Sequence, residues 1–245
     1  MPHVEGAGVE LHYEARGEGP PSVLVVHAMG SDATAWEPAL DELAADGGAR
    51  AIAFDRRGYG SSGAPQPYAA TTVQEQAQDT GALLEALAAA PAALVGDGFG
   101  ALVVLELLVR RPQLAAAAVL VDPPLHAFVP EATKALAVER ELLEEALREG
   151  GPQAAVRAWL GADADPACAA RAAADHAGFF ADYAGQSSWS PSRRELRAIG
   201  VPVAVVTGPG TPPHIAAAAD ALTGLVPGAR RLRDGAVVVA ALALL

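Results

Sequence analysis

Four short apolar runs, Ser22 to Val26, Arg50 to Phe54, Ala92 to Val95 and Ala116 to Val121, punctuate the first half of the chain, with turn residues and helical patterns between them. Runs of this length without polar alternation read as strands buried on both faces. Strands alternating with helices make an α/β fold, a mostly parallel sheet with helices on both faces. The intervening helices are expected at Ala35 to Ala45, with Ser31-Asp32 and Thr34 as caps, and at Thr71 to Ala89. A third, strongly apolar helix ends near Arg110-Arg111-Pro112. Val9 to Glu14 alternates as a half-exposed strand before this series. Val201 to Val206, Ala216 to Leu225, Arg230 to Arg233 and Val237 to Leu245 continue it as strand, helix, strand and helix. From Pro123 to about Trp189 the strand rhythm stops, and Leu136, Leu143 and Leu147 lie on one face of a helical pattern. The expected organisation is a core of residues 1–122 and 190–245 with an inserted helical cap at 123–189.

At 245 residues, 51% of them hydrophobic, the chain fits one sizeable domain and is not disordered. A net charge of -12 excludes a nucleic-acid partner, because no basic stripe is available to neutralise phosphates. No membrane partner is expected either: Ala236 to Leu245 is about half a bilayer span and reads as a buried helix. Cys168 is the single cysteine, so no internal disulfide forms and a reducing compartment suits the chain. With no apolar leader in the first twenty or so residues, the expected location is cytoplasmic. There is no G-x-x-x-x-G-K phosphate loop, and the histidines lack metal-ligand spacing, so neither cofactor nor metal is expected. The expected partner is a small-molecule ligand, and a homo-oligomer is open.

Three motifs narrow the class. Val25-Val26-His27-Ala28-Met29-Gly30-Ser31, with Trp36 downstream, follows the first buried strand. Asp55-Arg56-Arg57-Gly58-Tyr59-Gly60-Ser61-Ser62 follows the second, and Gly96-Asp97-Gly98-Phe99-Gly100 the third. Together with the element order they resemble the α/β-hydrolase superfamily over nearly the whole chain: a His-Gly oxyanion loop with Ala28 in the usual glycine place, a D-x-R-G-x-G-x-S loop, and the spacing of the G-x-S-x-G nucleophile elbow. The resemblance implies a serine at residue 98, an acid at 211 and a histidine at 236. The chain has Gly98, Thr211 and Ala236 there, so an ordinary serine hydrolase is not expected. It also implies an oxyanion hole from the backbone N–H groups of Met29 and Phe99, which survive any side-chain change, at the positive end of a helix.

Several side chains admit two readings. Asp97 is either a helix N-cap, the commoner role at a strand-to-helix turn, or a pocket carboxylate moving protons. Asp122 is a plain strand-end residue or an acid at the carboxyl end of the sheet, where open α/β folds bind ligands. His126 is a surface histidine or the proton-transfer group. His27 holds the oxyanion loop. His214, Thr211, Gly98 and Trp189 are expected to border the pocket. A cavity touching Met29, Asp97, Phe99 and Asp122 is expected beneath the cap. The leading functional expectation is a cofactor-free lyase, cyclase or isomerase acting on a small apolar carbonyl compound. A non-catalytic ligand- or protein-binding relative and a hydrolase with an unusual water-activating site are the alternatives.

Overall fold

The computed structural model describes residues 2–233 and 236–244. Two strands open the chain, β1 (His3–Glu5) and β2 (Glu10–Arg16), followed by β3 (Ser22–Val26). Helix α1 (Glu37–Gly47) comes next, behind a 3-10 turn whose N-cap is Asp32, accepting from Thr34 N at 3.0 Å. Then come β4 (Arg50–Phe54), α2 (Val73–Ala86), β5 (Ala92–Asp97), α3 (Phe99–Arg110) and β6 (Ala115–Val121). A helical segment follows: α4 (Ala132–Leu160), α5 (Pro166–Ala174), α6 (His176–Ser188) and the short α7 (Arg193–Arg197). The chain finishes with β7 (Val203–Thr207), α8 (Pro213–Leu225), β8 (Arg230–Arg233) and α9 (Val237–Leu242).

Among the described residues the sheet has eight strands in the order β1-β2-β4-β3-β5-β6-β7-β8. All neighbours from β4 onward are parallel, and β1 and β2 join antiparallel at one edge. The interior strands β3 and β7 are buried at every residue, which is why their sequences carry no polar alternation. Helix α3 is buried from Phe99 through Leu108, on all sides, as its unbroken apolar sequence requires. Thr72 and Glu75 form a reciprocal capping box at the start of α2, fixing where that helix begins.

One side of the sheet packs α1 and α9 through Leu40, Leu43, Ala240 and Ala241. The other packs α2, α3 and α8, and the helical segment joins the same core through Leu143, Val156, Ala172 and Phe179. Two ion pairs bind that segment to the sheet's loops: Arg171 to Asp32 at 2.6 Å, and Asp182 to Arg56 at 2.7 Å. β1 escapes the sequence reading because three residues carry no period, and the span α4 is two helices joined at Gly151, whose φ 77° and ψ -175° are not helical, just before Pro152. No helix among the described residues is long and apolar enough to cross a membrane.

Candidate active site

The elbow forms because β5 runs in register with β6 up to the pair Asp97–Val121 and then reverses into α3 within one residue. That residue is Gly98, at φ 50° and ψ -116°, a backbone conformation that disfavours any side chain. Its N–H donates to Val121 O at 3.0 Å, which seals the turn against β6. Gly100 lets α3 approach β3: a methyl group there would lie 2.0 Å from Val26 O. A methyl at residue 98 would lie 3.3 Å from Ala28 Cβ, so the loop after β3 packs closely against the apex.

Asp97 does not cap α3. The strand continues through it, Gly98 takes the N-cap position, and no side chain bonds the helix start. The expectation of an Asp97 cap is therefore corrected. Its half-buried carboxyl has no hydrogen-bond partner among the described residues, and burial pushes it up to about 7, with Asp122 adding to the rise and Arg56 opposing it. Asp122, at φ 43°, accepts from Thr211 Oγ1 at 2.6 Å, and Thr211 Oγ1 in turn accepts from Gly208 N at 2.9 Å. Burial raises the Asp122 carboxyl too, against the pull of Thr211. Two carboxyls thus sit at adjacent strand ends, one braced and one unbraced.

His27 is buried and structural in geometry. Arg56 N donates to its Nε2 at 3.0 Å, so Nδ1 carries the proton and donates to Ala28 O at 2.8 Å. Burial holds its pKa well below the ordinary histidine value, and Arg56 reinforces this. The backbone N–H groups of Met29 and Phe99 have no acceptor among the described residues. His126 is half-buried rather than on the surface, its Nε2 lies 3.1 Å from Gln186 Nε2, and its ring centroid is 5.7 Å from that of His214. Burial, helped by His214, lowers it to about 4, so it is neutral near neutral pH. Trp189 is buried and donates to Glu106 Oε2 at 2.9 Å. Ala236 is exposed just before α9, while Asp234 and Gly235, which precede it in the family's histidine loop, lie outside the described residues.

A cavity of about 770 Å³ opens between α4, α6 and the turn at His126. His126 and Trp189 line it, whereas Met29, Asp97, Phe99 and Asp122 lie outside this lining. The helical segment covers the loop after β3: Leu160, Phe179 and Ala172 lie 3.5 to 3.8 Å from where a methyl on Gly30 would stand. Leu136, Leu143 and Leu147 share a face as their spacing requires, and that face is the cavity wall. Among the described residues no group of three or more His, Cys, Asp or Glu converges as a metal site.

Sequence reasoning missed one cluster, the buried Arg56, Asp182, Gln76 and Tyr59. Its signal was Asp182, a lone carboxylate three residues after Phe179 on an apolar helix face.

A family model described as the alpha/beta hydrolase fold matches residues 21–157. The putative non-heme bromoperoxidase BpoC of Mycobacterium tuberculosis is 37% identical over 112 residues, 46% of this chain and 41% of that protein. The putative carbamate hydrolase RutD of Variovorax paradoxus is 37% identical over 113 residues, 46% of this chain and 42% of its own. The matches therefore span about two fifths of these curated relatives. The enol-lactonase of Burkholderia xenovorans LB400 superposes with a TM-score of 0.74 at 25% identity, covering 97% of this chain and 93% of that one. The esterase EaEST of Exiguobacterium antarcticum does so at 0.75 and 18% identity, covering 95% and 90%. With the family model matched over more than half its length and the sheet, elbow and loops in place, the chain belongs to the α/β-hydrolase-fold family.

Proposed function

We propose that this chain is a non-hydrolytic, cofactor-free member of the family that lacks the serine–acid–histidine set and moves a proton on a small, largely apolar carbonyl compound. A lyase, cyclase or isomerase working at the carbon next to a carbonyl can begin with such a step. The observation that carries the reading is the Asp97 carboxyl, unbraced beside the elbow apex and pushed up to about 7. A group with that pKa is matched to proton transfer near neutral pH. In this reading Asp97 takes the proton next to the carbonyl, and the carbonyl oxygen gains negative charge as the enolate forms. The N–H groups of Met29 and Phe99 and the N-terminus of α3 receive that charge. Gly98 supplies no nucleophile. Residues 123–189 act as the cap, with Asp122 and His126 at its mouth.

One observation favours a second reading, a relative that binds an apolar ligand without turning it over. The large cavity is lined chiefly by α4, α6 and Trp189, away from the elbow. Incubating the protein with a panel of small cyclic ketones in D2O separates the two. The proposal expects enzyme-dependent deuterium uptake next to the carbonyl, rising as pH passes about 7, and reduced about a hundredfold or more in Asp97→Asn. Ketone binding without exchange leaves the binding relative. Turnover of esters or lactones that depends on Asp97 replaces the proposal with a water-activating hydrolase, which the names of the esterase and lactonase neighbours favour.

A further inference from the structure

We propose that Arg56 and Asp182 form a positioning pair: their buried ion pair locks the Ala28–Met29 peptide so that the Met29 N–H faces the elbow, and it ties that orientation to helix α6. The proposal rests on the reading above only in giving that N–H an oxygen anion to bind.

The Arg56 guanidinium is fully buried, 4.8 Å from the Tyr59 ring centroid and 4.9 Å from that of Phe99. Four of its N–H groups are committed. Nε donates to His27 O at 3.0 Å, Nη1 to Gln76 Oε1 at 2.9 Å, and Nη2 to Ala28 O at 3.2 Å and to Asp182 Oδ2 at 2.7 Å. The Ala28 carbonyl thus takes two donors, Arg56 and the His27 Nδ1–H, and is drawn toward them. The Ala28–Met29 peptide is trans, so its N–H points the opposite way from its carbonyl. Ala28 borders the apex, with its Cβ 3.3 Å from where a side chain on residue 98 would begin. The Met29 N–H has no acceptor among the described residues, so it is free to donate to an oxygen anion.

Asp182 has little freedom of its own. Its Oδ2 also accepts from Tyr59 OH at 2.7 Å, and its Oδ1 from Gln76 Nε2 at 2.7 Å. It sits on α6 between Phe180 and Tyr183, which wall the large cavity. A displacement of α6 is therefore passed to Arg56 and from there to the Ala28 carbonyl. A buried pair of this kind is a poor source of stability compared with apolar packing, but it fixes an orientation that packing alone leaves loose.

The test uses the full chain labelled with 15N and titrated with 4-nitrophenolate, an aryl oxyanion, above the phenol's own pKa. In the parent protein the amides of Met29 and Phe99 shift together on one saturation curve. Asp182→Asn and Arg56→Lys move the resting Met29 resonance and weaken the titration about tenfold. Arg57→Lys is the control: it loosens the neighbouring buried pair with Asp79, at 2.6 and 2.9 Å, without touching Ala28. It lowers thermal stability and leaves the Met29 resonance and the titration as in the parent. Tyr59→Phe, which removes one donor from Asp182 but no charge, moves Met29 the same way by less, and it serves if the charge variants fail to fold. An unmoved Met29 resonance in a folded Asp182→Asn, Arg56→Lys or Tyr59→Phe protein overturns the pair. A silent titration in the parent overturns the oxyanion role alone, because the resting Met29 resonance still reports on the positioning.

Discussion

The apex residue Gly98 has φ 50° and ψ -116°, and Ala28 borders the space beside it. A serine at residue 98 would have to adopt φ 50° and ψ -116° and place its Cβ 3.3 Å from Ala28 Cβ. Backbone strain of this kind costs about 1–3 kcal/mol, and a tight methyl contact adds to it. Gly98→Ser is therefore expected to lower stability by about 2 kcal/mol in urea melts, and Ala28→Gly in the same chain to recover part of the loss. Neither variant gains appreciable turnover of activated acyl esters, because on the reading proposed here Thr211 and Ala236 leave the serine without a base, and partial triads return little. A large gain in ester turnover from Gly98→Ser alone would show that an acid–base pair reaches residue 98 after all. At this scale the sequence was legible where a residue type has one use, as with Gly98. It misled at Asp97, because the composition of a turn does not say which of two adjacent residues ends the strand.

At the scale of elements, the buried strands and α3 were readable because burial on both sides leaves apolar runs with no alternative partner. The helical segment was harder. Helical spacing put Leu136, Leu143 and Leu147 on one face, but spacing cannot tell a face that meets the core from one that walls a cavity. Likewise Asp182 gains its meaning from Arg56, 126 positions earlier, a pairing only the folded chain brings together. The close approach of α3 to β3 is a different matter, since the G-x-G-x-G spacing announces it. A methyl on Gly100 meets Val26 O at 2.0 Å and Val26 C at 2.7 Å, both backbone, so the helix must move off the strand. Gly100→Ala is expected to cost about 3 kcal/mol or more by chemical denaturation. Gly224→Ala in α8, where a methyl meets nothing within 4 Å, should instead stabilise by about 0.5–1 kcal/mol. Equal effects of the two substitutions would mean that the elbow helix has room to shift.

For the whole molecule, two groups near the site set opposing pH dependences. Asp97 is raised to about 7 in the folded chain, against an ordinary carboxylate value near 4. The folded state therefore holds a proton that the unfolded state releases, and stability is lost on this account as pH rises from about 4 through about 7. His126 is lowered to about 4 from an ordinary value near 6.5, so its contribution is present above about 6.5 and lost as pH falls toward 4. His27, held low by burial, acts in the same sense as His126. Asp122, Asp175 and Asp182, each raised by burial, act in the same sense as Asp97. Asp97→Asn removes the Asp97 contribution alone. At pH 8 its stability should exceed the parent's by about 2 kcal/mol more than at pH 4, a figure discounted for the solvent that reaches a half-buried carboxyl. Urea melts of both proteins across that range measure the difference directly. A gap that does not change with pH would mean that Asp97 titrates as an ordinary carboxylate, and the proton-transfer role proposed for it would lose its physical basis.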